Sequence, residues 1–207
     1  MLIELALATA TTIALPAMTL SVHAGSNIPA SLVKQTLEEA AAIWRQSGVT
    51  LKFDDEDCAS GPMHVVPSMP IHVTFEDESI AAPVTTLPLG WIDFDEIGSP
   101  MRYIHLSLSN AATLMQNTDG VPPVSRMTIY ERNVLLSRVL GRALAHELGH
   151  YLLSSKSHTN GGLMKAHRML SDFINPSRGA FDIDASQKAL IAARLLQATA
   201  RNTPAQQ

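Results

Sequence analysis

Only one cysteine, Cys58, occurs among the 207 residues, which excludes an intrachain disulfide framework and leaves the compartment open. It reads as a small residue near a strand end. Aromatic residues are scarce, at 5%, and charged residues make up only 16%. There is no basic block and the net charge is −4, so the electrostatic footprint of a nucleic-acid binder is missing. Two absences near the C-terminus matter more. No glutamate follows Glu147 and no tyrosine follows Tyr151. The first removes one large class of metal site, and the second removes a downstream phenol as a catalytic donor.

The hydrophobic content of 46% is that of a globular chain and argues against wholesale disorder. The length suits one domain with a sizeable core. No lysine or arginine precedes Lys34, so the uncharged run Leu5–Leu20 lacks the basic start of a secretory signal, although Val22-His23-Ala24 would suit a cleavage site. The run is short for a membrane span and holds Pro16, so no stable span is expected. Two readings compete here: a signal or truncated signal over residues 1–16, with export to the periplasm or outside the cell, and a first β-strand over Met18–His23. In the strand, Met18, Leu20 and Val22 would share one face and Thr19 and Ser21 the other.

Leu32, Val33, Leu37, Ala40, Ala41 and Trp44 recur at helical steps between Pro29 and Gln46, and Gly48 ends the pattern. Strands are expected over Val49–Phe53, Ile71–Phe75, Leu87–Ile92 and Tyr103–Leu108, with Pro88 marking the third of these as an edge. The acidic run Asp54-Asp55-Glu56-Asp57 reads as a solvated turn, since it lacks the glycine and terminal glutamate of a calcium loop. Residues 109–125, with Asn117-Thr118-Asp119-Gly120 and Pro122-Pro123, read as a loop. A long helix is expected from about Met127 to Leu153. A second, capped by Asp184 with Gln187 three residues on, runs until a tail at residues 199–207.

The last two turns of the long helix carry His146-Glu147-Leu148-Gly149-His150. Histidines four apart lie one above the other on a helix face and can grip one metal ion. The intervening glutamate projects toward the same cleft, where it can act as a general base on a water held by zinc. A catalytic zinc site needs one more protein ligand. With no glutamate downstream, the candidates are His158, His167, Asp172, Asp182 and Asp184. His158 is preferred, because the short loop Ser154–Ser157 can swing its imidazole back under the metal. Gly149, inside a helix where glycine costs about 1 kcal/mol against alanine, suggests close approach by another element.

These residues, with the following Gly162-Leu163-Met164, resemble the metzincin branch of the zinc metallopeptidases and a set of small bacterial zinc proteases with an Ala-His-Glu-Leu-Gly-His core. The resemblance implies His146, His150 and His158 as zinc ligands, Glu147 as general base, and Met164 as a turn methionine beneath the histidines. It implies a zincin-like α+β fold, with a mixed twisted sheet of about five strands, a first helix and a long active-site helix. The catalytic domain would span residues 18–198, divided into lobes 18–153 and 154–198, with residues 1–17 as a signal or disordered N-terminus. It implies a peptide or protein substrate, held by strand addition along Leu89, Gly90 and Trp91, although ordinary edge packing is the preferred account of Trp91. The chain departs from the family pattern by placing Leu153 and Lys156 where glycine and histidine belong, so that His158 comes two residues late. A non-catalytic zinc module and an interaction domain with a degenerate site are the rival readings.

Overall fold

The computed structural model describes residues 15–54, 70–77, 87–116 and 126–202. Five strands form one sheet: β1 (Met18–Ala24), β2 (Leu51–Asp54), β3 (Ile71–Glu76), β4 (Gly90–Phe94) and β5 (Pro100–Ser107). The helices are α1 (Ala30–Arg45), α2 (Leu108–Gln116), α3 (Ile129–Leu153), α4 (Leu170–Ile174) and α5 (Ala185–Asn202). The strand order is β2-β1-β3-β5-β4. The first four are mutually parallel, and β4 runs antiparallel along the edge beside β5. This is the mixed five-stranded α+β architecture expected.

Alternation decides which face of the sheet is covered. Ile71, Val73 and Phe75 of β3 are buried, as are their neighbours Leu20, Ile104 and Leu106. His72, Thr74 and Glu76 point to the other, more open face. There His72 stacks between His23 and Tyr103 across three strands.

β1 is a sheet strand flanked on both sides, with Thr19 and Ser21 as buried as Met18. Chain cleavage after Ala24 would therefore remove a strand that pairs with both β2 and β3. The signal reading of residues 1–16 falls almost entirely outside the described residues, as do Cys58, the acidic turn beyond Asp54 and the Asn117–Pro123 turn.

Two boundaries differ from expectation. The stretch expected as a loop from residue 109 begins with α2. Ser107 Oγ accepts the backbone N–H of Asn110 at 3.2 Å, and Ala111 and Met115 are buried four residues apart. The strong turn signals further along obscured this short amphipathic run. The edge strand starts at Gly90 rather than Leu87, so Pro88 lies before the ladder and not within it. At the other end, α5 continues to Asn202, past the start of the expected tail.

The caps match the sequence more closely. Thr128 and Glu131 form a reciprocal capping box at the start of α3. Asp184 accepts the Gln187 N–H at 2.8 Å at the start of α5.

α1 and α3 cross closely over the covered face. A Cβ on Gly141 would lie 2.6 Å from the Thr36 carbonyl oxygen and from Glu39 Cβ, so only glycine permits this approach. The buried Trp44 indole donates to the Ala145 carbonyl at 3.2 Å. Beside that crossing lies a buried ion cluster. Arg142 Nε donates to Glu39 Oε1 at 2.9 Å, and Arg178 Nη2 donates to Glu39 Oε2 at 2.6 Å.

Glu39 is 8% exposed and Arg142 0%. Removing the carboxylate leaves Arg142 as an uncompensated buried charge, which typically costs about 3–5 kcal/mol. Glu39→Ala is therefore expected to lower unfolding stability by at least about 3 kcal/mol in urea titrations followed by tryptophan fluorescence. A loss below about 1 kcal/mol would show that the cluster is not structurally important.

Candidate metal centre

α3 delivers His146, Glu147 and His150 from consecutive turns near its C-terminal end. His150 and Glu147 are buried and His146 is half-buried. The helix ends at Leu153, and Ser154 reverses the chain in the left-handed region, at φ 46° and ψ 49°. Non-glycine residues seldom adopt this conformation. The following loop brings His158 back over the helix. One ligand atom from each of His146, His150 and His158 lies within 4.8 Å of the others, a set able to hold a metal ion.

The hydrogen bonds fix which nitrogen each helix histidine presents. His146 Nδ1 lies 2.8 Å from the Leu163 carbonyl oxygen, and His150 Nδ1 lies 2.6 Å from that of Ser155. A carbonyl only accepts, so both Nδ1 atoms carry the proton and both Nε2 atoms present lone pairs. Burial lowers the pKa of His146 to about 4 and also lowers that of His150, which keeps both rings neutral. Yet the two Nε2 atoms face each other at 3.1 Å. Two neutral acceptors do not hydrogen-bond to each other, whereas both can direct their lone pairs at one cation. Nitrogens bound tetrahedrally to zinc at ~2.0–2.1 Å would be separated by about 3.3 Å. The donor set therefore fits zinc.

Glu147 lies on the cleft side of the same turn. Burial raises its carboxyl to about 7, against the opposing effect of an N–H bond from Ile92 of β4. Gly90 faces this side chain: a Cβ there would meet Glu147 Cγ at 3.5 Å and the His105 carbonyl at 2.9 Å. Leu89 and Gly90 line a cleft of about 310 Å³ together with Glu147 and the three histidines. Trp91 does not. Its ring is on the opposite face, stacked on His105 with centroids 4.9 Å apart, so its contact is edge packing.

Met164 is 1% exposed and lies beneath the helix. A Cβ on Gly149 would come within 2.3 Å of Met164 Sδ, which accounts for the glycine inside α3. The turn carrying Met164 begins at Gly162, at φ +67°, where a Cβ would meet the Asp182 carbonyl oxygen at 2.5 Å. Leu163 N–H donates to the same carbonyl at 2.7 Å, while the Leu163 carbonyl receives His146 Nδ1.

The other third-ligand candidates are placed elsewhere. Asp184 caps α5, the carbonyl of Asp182 receives Leu163, and the carbonyl of Asp172 receives Arg142. His167 lines the cleft outside the three-histidine group. Lys156 sets its ammonium over the Phe94 ring at 4.7 Å. Sequence reasoning did not identify Ile92, whose main chain bonds Glu147, or Ser155, whose carbonyl orients His150. Both act through backbone atoms and leave no side-chain signal.

The sheet, the long helix and the re-entrant loop make up a fold that recurs among solved structures. A zinc-dependent peptidase from Methanocorpusculum labreanum has this fold, with a TM-score of 0.51 and 13% identity over 83% of this chain and 99% of that one. Archaemetzincin from Methanopyrus kandleri aligns with a TM-score of 0.49 and 16% identity, over 87% of this chain and 96% of that one. No protein-family model and no curated protein matches the sequence.

Gly149→Ala adds a methyl group where Met164 already sits. Overpacking of this kind costs about 1–3 kcal/mol, more than the roughly 1 kcal/mol gained in helix propensity. A fall in melting temperature is expected. A rise would show that Met164 does not press on the helix.

Proposed function

We propose that the protein is a metzincin-like zinc peptidase in which His146, His150 and His158 hold zinc and Glu147 is the general base. The observation that carries this reading is the 3.1 Å approach of two neutral Nε2 lone pairs, with an acidic side chain on the same turn. Bound there, zinc would acidify a water and polarise the substrate carbonyl. Glu147 would take a proton from the attacking water and later pass it to the leaving nitrogen. The Ile92 N–H fixes the direction of its carboxylate, and the apolar wall of Leu87, Pro88 and Leu89 limits competing solvent. The edge through Leu89, Gly90 and Trp91 would receive the substrate as an added strand, with Gly90 turning its main chain outward, since the Leu89 carbonyl is taken by Ser107 N–H on the β5 side, and with the Trp91 ring on the far side of the sheet. Met164 supports the floor beneath His146 and His150.

A purely structural zinc site has no need of a buried carboxyl facing a cleft, so the non-catalytic module is the weaker reading. Glu147→Gln should bind one zinc per chain, as should the unmutated protein, and lose activity on a peptide mixture by at least about 10²-fold. Undiminished hydrolysis would remove Glu147 from the mechanism. A chelator should abolish activity and added zinc restore it, while His158→Ala should retain zinc poorly on dialysis. Full zinc retention by that variant would exclude His158 as a ligand.

A further inference from the structure

The two walls of the cleft differ in charge. Leu87, Pro88, Leu89 and Gly90 form an apolar rim on the side of β4, whereas Lys165, His167 and Arg168 lie on the segment after the methionine turn. Glu147 is the only carboxylate among the described residues that line the cleft. The chain as a whole carries a net charge of −4, so this cationic wall runs against the overall balance.

Arg142 also reaches the cleft, but Glu39 neutralises it. Lys165 and Arg168 have no carboxylate within ion-pair distance among the described residues, and Asp172 acts on Arg168 only at longer range. The Lys165 and His167 side chains make no hydrogen bond within the described residues.

Arg168 is held in place. Its Nη2 donates to the carbonyls of Gly162 and Ala180, and its guanidinium lies 4.1 Å over the Phe181 ring. The Nε and Nη1 donors are not used by these contacts. A fixed guanidinium with unused donors beside an unpaired ammonium is suited to a carboxylate, which it can meet with two parallel hydrogen bonds.

We infer that this wall is a carboxylate-recognition subsite that selects peptides carrying an anionic group close to the bond presented to Glu147. The inference rests on the peptidase reading and specifies its substrate class. The carboxylate belongs either to an aspartate or glutamate side chain or to the free C-terminus of the peptide, and the same three residues recognise both.

The test uses zinc-loaded Glu147→Gln protein, which binds without turnover. Fluorescent peptides of one sequence carry Glu, Gln or Lys at a single scanned position, each with a free or an amidated C-terminus. Either the Glu peptide should bind about tenfold tighter than the Gln peptide in at least one register, or the peptide with a free C-terminus about tenfold tighter than its amide. The preference should fall below about threefold at high salt and in Lys165→Glu or His167→Glu backgrounds, both of which alter cleft side chains that make no structural hydrogen bond. Loss of binding on amidation alone would assign the site to a terminal carboxylate; retention would assign it to a side chain.

Equal affinity for Glu and Gln peptides in every register, with no loss on amidation, would overturn the inference, as would an anion preference untouched by both charge reversals. Hydrolysis by the unmutated enzyme separates the two levels. Cleavage of Glu, Gln and amidated peptides with equal kcat/KM removes the subsite and keeps the peptidase. Selective binding of acidic peptides that are never cleaved keeps the subsite and removes the peptidase. Binding of no peptide overturns both.

Discussion

The buried guanidinium of Arg142 is the constraint on which the rest of the site depends. A charge this deep is tolerated only when its donors are met. Glu39 meets Nε from α1, and the carbonyls of Asp172, Asn175 and Ser177 meet the terminal nitrogens. The Phe181 ring covers its face at 4.7 Å. The segment from α4 to Phe181 is thereby drawn back against α3. Asp182 follows directly, and its carbonyl receives the N–H of Leu163. The other end of that residue, the Leu163 carbonyl, receives His146. A single line of contacts thus runs from the helix crossing to a metal-facing imidazole, and Arg142 is one turn before His146 on the same helix.

That line explains why the histidines are set before any metal arrives. In isolation a helix would present both rings with free rotation and either tautomer. Here a backbone carbonyl fixes each Nδ1, one supplied by the methionine turn and the other by the reversal at Ser155. Such outer contacts orient the ring and raise the basicity of the opposite nitrogen. Burial works in the same direction by keeping the rings neutral. The unfavourable approach of two lone pairs is held in place by contacts made elsewhere in the fold.

What could be read in the sequence divides along the same physical line. Periodicity and capping residues located α1, α3, α5 and the strands, because a helix or strand face is a local property. The His146, Glu147 and His150 constellation was legible because its geometry is that of one helix. Gly149 was legible as a point of close approach, and Met164 occupies it. The Glu39 and Arg142 pair was not, since 103 residues separate the partners. A signal was nevertheless present for one partner: Arg142 interrupts an apolar run, between Val139-Leu140-Gly141 and Ala143-Leu144. Helix α2 was hidden because Asn, Asp, Gly and Pro just beyond it are stronger local signals than two buried apolar residues. The placement of Trp91 away from the cleft depended on the register of the edge strand, and one residue inverts every side chain of a strand.

The displacement of His158 follows from where the helix can turn. Ser154 takes the left-handed position, and its N–H returns to the carbonyl of Tyr151. The first loop carbonyl able to reach His150 is then that of Ser155. Once that bond forms, Lys156 is directed toward Phe94, where its ammonium rests on the ring. Ser157 N–H bonds back to Ser155 Oγ at 3.1 Å, and His158 is the next side chain able to face the histidine pair. Thr159 N–H then bonds the Met164 carbonyl at 2.9 Å, so the same loop that delivers His158 also closes onto the methionine turn. The late histidine is therefore the register at which one loop can satisfy His150, leave the helix and reach the turn beneath it.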